Sequence, residues 1–260
     1  MVHFVGAGSG AVDLITVRGK RLIEEADVII YAGSLVNPAL LDYAKKDCQV
    51  HNSAYLHLDE IIDLMKKAEE QGFTTVRLHT GDPSVYGAIR EQMDRLKEAG
   101  IDYDVCPGVS SFCGAAAALK AEYTLPDVSQ SVIITRMAGR TPVREAESMR
   151  SLAAHQATMV IFLSMGLLEE LTAELLAGGY RADTPAAIVY KATWEDEKVL
   201  RCTVSELSET AKKHGITKTA LITVGYFLGN DYALSKLYDA EFTTEFRNGN
   251  HHNGIHETGR

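Results

Sequence analysis

One feature constrains this chain more than any other: short apolar runs alternate with amphipathic stretches from residue 2 to about residue 119. Residues 2–6, 27–31, 74–79 and 103–106 are apolar and of strand length. Residues 16–25, 57–70, 85–98 and 109–119 read as helices. In 57–70, for example, Leu58, Ile61, Ile62, Met65 and Ala68 fall on one helical face. Strands separated by helices of crossover length pair in parallel, and such a sheet is covered by helices on both faces. The rhythm pauses over 120–131, where Pro126, Asp127, Ser129, Gln130 and Ser131 read as a polar linker. Beyond it, strands are expected at 131–135, 157–163, 186–191, 197–203 and 219–225, and helices at 145–153, 166–177 and 204–213. No crossover helix fits between 191 and 197. A hairpin through Trp194, Glu195 and Asp196 is expected there, which makes the second sheet mixed. The architecture expected is α/β, with domains at 1–125 and 126–240 and a polar tail, 241–260, read as disordered. A chain of 260 residues has room for two such domains.

Composition narrows the function classes. With 26 basic and 35 acidic residues the net charge is −9, so no basic face for nucleic acid is expected. No run of about 18 apolar residues is present, so no membrane span is expected. The first residues run straight into a strand and lack the basic region and apolar core of a signal peptide, which points to the cytosol. Cys48, Cys106, Cys113 and Cys202 form no CxxC pair and read as buried, reduced thiols. The histidines stand at no metal-ligand spacing, so no metal site is expected.

Several segments could carry chemistry. GAGSGAVDLIT (6–16) places glycines after the first strand, as dinucleotide folds do, but Ala11 stands at the third glycine position. The second strand also ends in Tyr31, Ala32 and Gly33, with no acid for a ribose. A tight glycine turn and a loop lining a cleft are the other readings. HTGDPSVYGAIREQ (79–92) places Asp82 and Pro83 between a strand and a helix expected from residue 85, where Pro83 suits the first turn and Asp82 a cap. CPGVSSFCGAAAAL (106–119) repeats the strand–turn–helix pattern, with Ser110 and Ser111 at the helix start and small residues that permit close packing. Arg136, Arg140 and Arg144 form a basic set suited to carboxylates or to a solvated loop. Trp194 could pack on a neighbour or cover a flat ligand. No nucleophilic triad and no P-loop is readable.

In this order, GAGSGAVDLIT, ADVIIYAGSLV, HTGDPSVYGA, CPGVSSFCGAAAAL, IFLSMGL and VYKATW resemble the tetrapyrrole methyltransferase family, whose members use S-adenosyl-L-methionine. The similarity runs from residue 2 to about 229. Longer stretches, among them TLPDVSQSVIITRMAGRTPV and VYKATWEDEKVLRCTV, look like members that methylate a corrin-ring carbon in cobalamin biosynthesis, with or without cobalt in the ring. The resemblance implies a homodimer of two-domain chains with an interdomain cleft, the methyl donor in the cleft and the tetrapyrrole in an adjoining trough. It implies cofactor contacts from Thr80, Gly81, Asp82, Val85, Ser110, Ser111, Met165 and Ala192. It places the first glycine loop, with Gly8, on the substrate side; the family usually has proline and aspartate where Ser9 and Ala11 stand. Methyl transfer from a sulfonium needs orientation more than a protein nucleophile. If a proton must be taken, His79, Asp82 and Tyr86 are the candidates. Arg18, Arg136, Arg140 and Arg144 are the candidates for the substrate carboxylates. Within the family the competing reading is action at a different corrin-ring carbon; from other classes, a nicotinamide-dependent oxidoreductase and a non-catalytic tetrapyrrole carrier compete.

Overall fold

The computed structural model describes residues 1–249. The first of two five-stranded sheets contains β1 (Val2–Gly6), β2 (Val28–Tyr31), β3 (Gln49–Asn52), β4 (Thr75–His79) and β5 (Tyr103–Cys106). Its order is β3-β2-β4-β1-β5 and every pair is parallel. All five residues of β4 are buried, as a central parallel strand requires. Helix α1 (Val17–Glu25) sets Leu22 and Ile23 in a cluster with Val5, Ile29 and Leu78 on one face. Helices α2 (Leu58–Glu70) and α3 (Ile89–Glu98) bring Ile62, Met65 and Leu96 to Phe4 and Ile30 on the other. Local signals start two of these helices. Thr16 accepts a hydrogen bond from the Gly19 N–H at 3.0 Å, and His57 and Glu60 form a reciprocal capping box.

The second sheet contains β6 (Val132–Arg136), β7 (Thr158–Phe162), β8 (Pro185–Tyr190), β9 (Lys198–Thr203) and β10 (Ala220–Val224), in the order β6-β7-β10-β8-β9. Only β6 and β7 run parallel, so the sheet is mixed. The expected hairpin joins β8 to β9, with Tyr190 opposite Lys198. Helices α5 (Met149–Ala153), α6 (Leu168–Ala177) and α7 (Leu207–Lys213) cover one face, where Leu171, Leu175 and Leu207 cluster with Ile161, Ile188 and Ile222. The other face takes α4 (Ser111–Leu119): Ala115 and Leu119 cluster with Val160, Ala187, Val189 and Leu221. The last helix before the linker therefore packs on the second sheet. Its Gly114 also lets the first glycine loop come close: a Cβ there would lie 2.7 Å from the Cβ of Ser9.

Some local expectations are corrected. The helix expected from 85 begins at Ile89, because Tyr86 (φ 56°) and Ala88 (φ 50°) hold a left-handed turn and Gly87 folds tightly on Pro83. Pro83 therefore opens no helix. The helix expected over 145–153 is broken at Ser148, which caps the short α5. Edge strand β3 was not anticipated, since Gln49, His51 and Asn52 weaken its apolar signal. Of the four thiols expected to be buried, only Cys106 is; Cys113 is exposed at the start of α4. Of the tail, residues 241–249 form an irregular segment tied to 237–242 by Arg247, which donates to the carbonyls of Leu237 and Asp239. Residues 250–260 lie outside the described residues.

Candidate functional site

Three loops leave the carboxyl ends of β1, β4 and β5 and lock together through backbone. Gly8 and Gly81 exchange N–H to C=O hydrogen bonds of 3.2 and 2.9 Å. A Cβ on Gly6 would lie 2.6 Å from both the Gly108 Cα and the Gly81 carbonyl oxygen. Asp82 clips the assembly: its Oδ2 accepts the Gly108 N–H at 2.8 Å, and its Oδ1 accepts the Ser84 N–H at 2.8 Å and the Ser84 hydroxyl. Partial burial works to raise the pKa of this carboxyl, but the Ser84 hydroxyl and the two N–H donors outweigh it and hold the group below its usual range. An ionised carboxylate with its lone pairs engaged is a clip rather than a base.

The first glycine loop holds the second half of the chain. Gly10 lies so close to Trp194 that a Cβ would sit 2.2 Å from Cδ1 of the indole. The Thr193 hydroxyl oxygen accepts the Ala11 N–H at 3.0 Å and is bonded to the Ser9 hydroxyl at 3.0 Å. Asn37 donates to the Gly10 carbonyl at 2.9 Å. Residues Val12–Leu14 then form a 3-10 turn, and α1 starts only at Val17. A dinucleotide fold needs this loop free and a helix N-terminus beneath it. Both conditions fail, so the nicotinamide reading is set aside.

Above these loops lies a cavity of 630 Å³, within the range of small-molecule sites. From the first half it is lined by Ser9, Arg77, His79–Asp82, Val85–Ala88, Glu91, Gln92, Ser110, Ser111 and the apolar Ala32, Leu35, Leu58 and Ile61. The second half supplies Phe162, Leu163, Met165, Gly166, Lys191, Ala192, Trp194 and Thr217–Leu221. Tyr86 and Phe162 meet across the rim, with ring centroids 5.4 Å apart. Backbone strain concentrates here: Tyr86, Ala88, Leu163, Lys191 and Thr219 all line the cavity at positive φ, and Thr193 adjoins it at φ 68°.

Thr80, Gly81, Asp82, Val85, Ser110, Ser111, Met165 and Ala192, which come from four separate segments of the chain, all line this one cavity. So do His79 and Tyr86. His79 is buried beside Phe4, its Nε2 is sealed without a partner, and burial together with the Arg77 charge pushes its pKa down to about 3. It is a neutral imidazole at neutral pH. Burial raises the Tyr86 phenol above its ordinary value, partly offset by nearby Arg136. Gly8 lies under Gly81 in the backbone bridge and is not part of the lining.

The arginines are placed differently. Among the described residues, none of Arg18, Arg136, Arg140 and Arg144 lines the cavity. Arg18 is exposed on α1, Arg140 and Arg144 are exposed, and Arg136 donates to the carbonyls of Met137, Thr141 and Pro142. The expected gathering of the four in one trough is not formed, because these side chains follow the outer surface and a solvated loop. Sequence reading missed Arg77, Gln92, Leu163 and Lys191. A signal for Arg77 existed: a permanent charge between Val76 and Leu78 in a segment read as a strand.

The comparisons with known proteins agree with this geometry. The model of the tetrapyrrole (corrin/porphyrin) methylases matches residues 1–208. The chain is 58% identical over 247 residues to a cobalt-precorrin-4 C(11)-methyltransferase of Methanocaldococcus jannaschii, covering 95% of both proteins. It is 45% identical over 249 residues to a precorrin-4 C(11)-methyltransferase of Pseudomonas aeruginosa, covering 95% of this chain and 99% of the relative. An X-ray structure of a cobalt precorrin-4 methyltransferase superposes with a TM-score of 0.86 at 45% identity, covering 88% of this chain and 96% of the other. The chain belongs to the tetrapyrrole (corrin/porphyrin) methylases.

Proposed function

We propose that this chain methylates C11 of cobalt-precorrin-4 or precorrin-4 with S-adenosyl-L-methionine as donor, giving the methylated corrin precursor and S-adenosylhomocysteine. The observation that carries the reading is the convergence of eight positions from four separate segments, implied for the donor by resemblance, on one cavity walled by both halves. The higher identity to the cobalt-named relative, 58% against 45%, favours the cobalt-containing substrate. The lining suits such ligands. The apolar Ala32, Leu35, Leu58 and Ile61 of the wall suit a flat macrocycle.

The donor, when bound, supplies a methyl group already activated by a sulfonium charge. The ring carbon forms its bond to the methyl as the C–S bond breaks, and that electron pair stays on sulfur. The chain's own residues then have to orient and to exclude water. The backbone lock of Gly6, Gly8, Gly81 and Gly108 fixes the floor, and the Tyr86–Phe162 contact closes the rim. Neither His79, a weak base with its pKa held near 3, nor Asp82, whose oxygens are engaged, suits the removal of a proton. We assign 1–125 and 126–240 as the two units that wall the cleft. A homodimer fits the exposed Leu234, Tyr238 and Phe246 near the end of the described chain. Among the described residues no helix is long and apolar enough to cross a membrane, and we assign the enzyme to the cytosol.

Incubation of the protein with methyl-labelled donor and each of the two precursors, followed by mass spectrometry and NMR of the product, tests the reading. One added methyl at C11 is the expected result. Absence of micromolar S-adenosylhomocysteine binding in calorimetry would overturn it.

A further inference from the structure

An arginine stands in the middle of the fully buried β4. Arg77 is only 5% exposed, yet it lines the cavity. Its Nε donates to Gln92 Oε1 at 3.1 Å and its Nη1 to the Ile30 carbonyl at 3.1 Å. Both acceptors are neutral. Among the described residues Nη2 has no hydrogen-bond partner and no acidic group offsets the charge. Burial lowers the guanidinium pKa only to about 10, so the cation persists at neutral pH. An isolated buried charge is expensive, and a tether between β2 and α3 could be made with a neutral side chain.

We propose that Arg77, held by Gln92 and the Ile30 carbonyl, forms a carboxylate-binding subsite in the floor of the cavity, and that it takes a peripheral carboxylate of the tetrapyrrole. The missing countercharge then arrives with the ligand. This inference rests on the substrate class proposed above. The donor's amino-acid carboxylate offers the same chemistry, but the placement favours the macrocycle. Arg77 leans toward β2 and α3, on the side of Leu58 and Ile61, whereas Ser110 and Ser111 follow β5, with β1 between β4 and β5.

The test compares Arg77→Gln and Arg77→Lys with the unaltered enzyme, reading KM for the tetrapyrrole, Kd for S-adenosylhomocysteine and the melting temperature. R77Q should raise KM about 10- to 100-fold, the worth of a charged hydrogen bond, while the S-adenosylhomocysteine Kd stays within about twofold. R77K should recover only part of the loss, because an ammonium cannot make the forked contact. An equal weakening of S-adenosylhomocysteine would assign the anion to the donor, and an unchanged KM in folded R77Q would leave Arg77 a structural tether; either outcome overturns the proposal. Should R77Q fail to fold, the unaltered enzyme is assayed with substrates carrying a methyl ester at one carboxylate at a time. One ester should cost about tenfold in KM, and a uniform response would refute the subsite. A wild-type enzyme that transfers no methyl group would sink the methyltransferase reading instead, so the two failures are distinguishable.

Discussion

The loops after β4 and β5 and the loop after β6 all leave the carboxyl edge of parallel strands, but they are held in opposite ways. In the first set backbone touches backbone. A Cβ on Gly108 would lie 2.2 Å from the Gly81 carbonyl oxygen and 2.7 Å from the Gly6 Cα, and Asp82 ties two of the loops together. The loop after β6 is exposed: Gly139 has nothing within 4 Å of a Cβ position, and Arg136 reaches back to the Thr141 carbonyl at 3.2 Å. The first arrangement preorganises a floor for a ligand, and the second leaves side chains in solvent. The density of charged residues in a sequence therefore marks the solvated loop here, while the interlocked glycines mark the site.

The largest expected effect tests that contrast directly. Gly108→Ala forces backbone apart in a place where no flexible side chain can give way. It should cost about 3 kcal/mol or more in urea unfolding and weaken S-adenosylhomocysteine binding with it. Gly139→Ala should stay within about 0.5 kcal/mol on both sides of zero. Equal tolerance of the two substitutions would break the comparison.

Four strands of the parallel first sheet were legible because their signal is local, short runs alternating with amphipathic helices, and Thr16 announces α1, whereas the polar β3 was not. The β8–β9 hairpin was legible from the short gap between its strands. What escaped depended on contacts distant in sequence. The turn at Pro83–Ala88 reads as a helix start by its residues, yet the left-handed Tyr86 and Ala88 delay α3 until Ile89. The role of Gly10 was hidden because its partner, Trp194, lies 184 residues away in the chain. Arg77 was passed over because a strand pattern records where a residue stands and not what it lacks. In the site, the motif positions carried by resemblance converge, whereas the arginines chosen by charge alone do not.

A middle-sized effect probes the buried side of the site by pH. The His79 imidazole has a pKa near 3 in the folded protein against an ordinary value of 6.5, lowered by burial and by Arg77. Below pH 6.5 the unfolded chain takes up a proton that the folded chain refuses, so stability falls as the pH drops from 6.5 toward 3 and is unaffected above 6.5. Between pH 6.5 and pH 5 this group should remove about 2 kcal/mol. Urea unfolding of the wild type and of His79→Gln at pH 7 and pH 5 measures it. The variant should lose less stability on acidification, and parallel pH dependences would show that the imidazole is not held neutral by its surroundings.

The smallest expected effect lies in the exposed loop. Arg140 has no hydrogen-bond or ion-pair partner among the described residues, and Arg144 approaches Glu147 only at 4.0 Å with most of its side chain in water. An ion pair of that kind contributes little. Arg140→Ala and Arg144→Ala should each change unfolding free energy by less than about 0.5 kcal/mol. Their effect on tetrapyrrole KM is the sharper measurement, because the loop borders Tyr86 on the cavity rim through Arg136. If the open loop stays as it stands, KM shifts less than about twofold, far below the change expected at Arg77. A tenfold rise in KM, with stability unchanged, would mean that the loop folds over the bound macrocycle and that the second region, too, is built for the ligand.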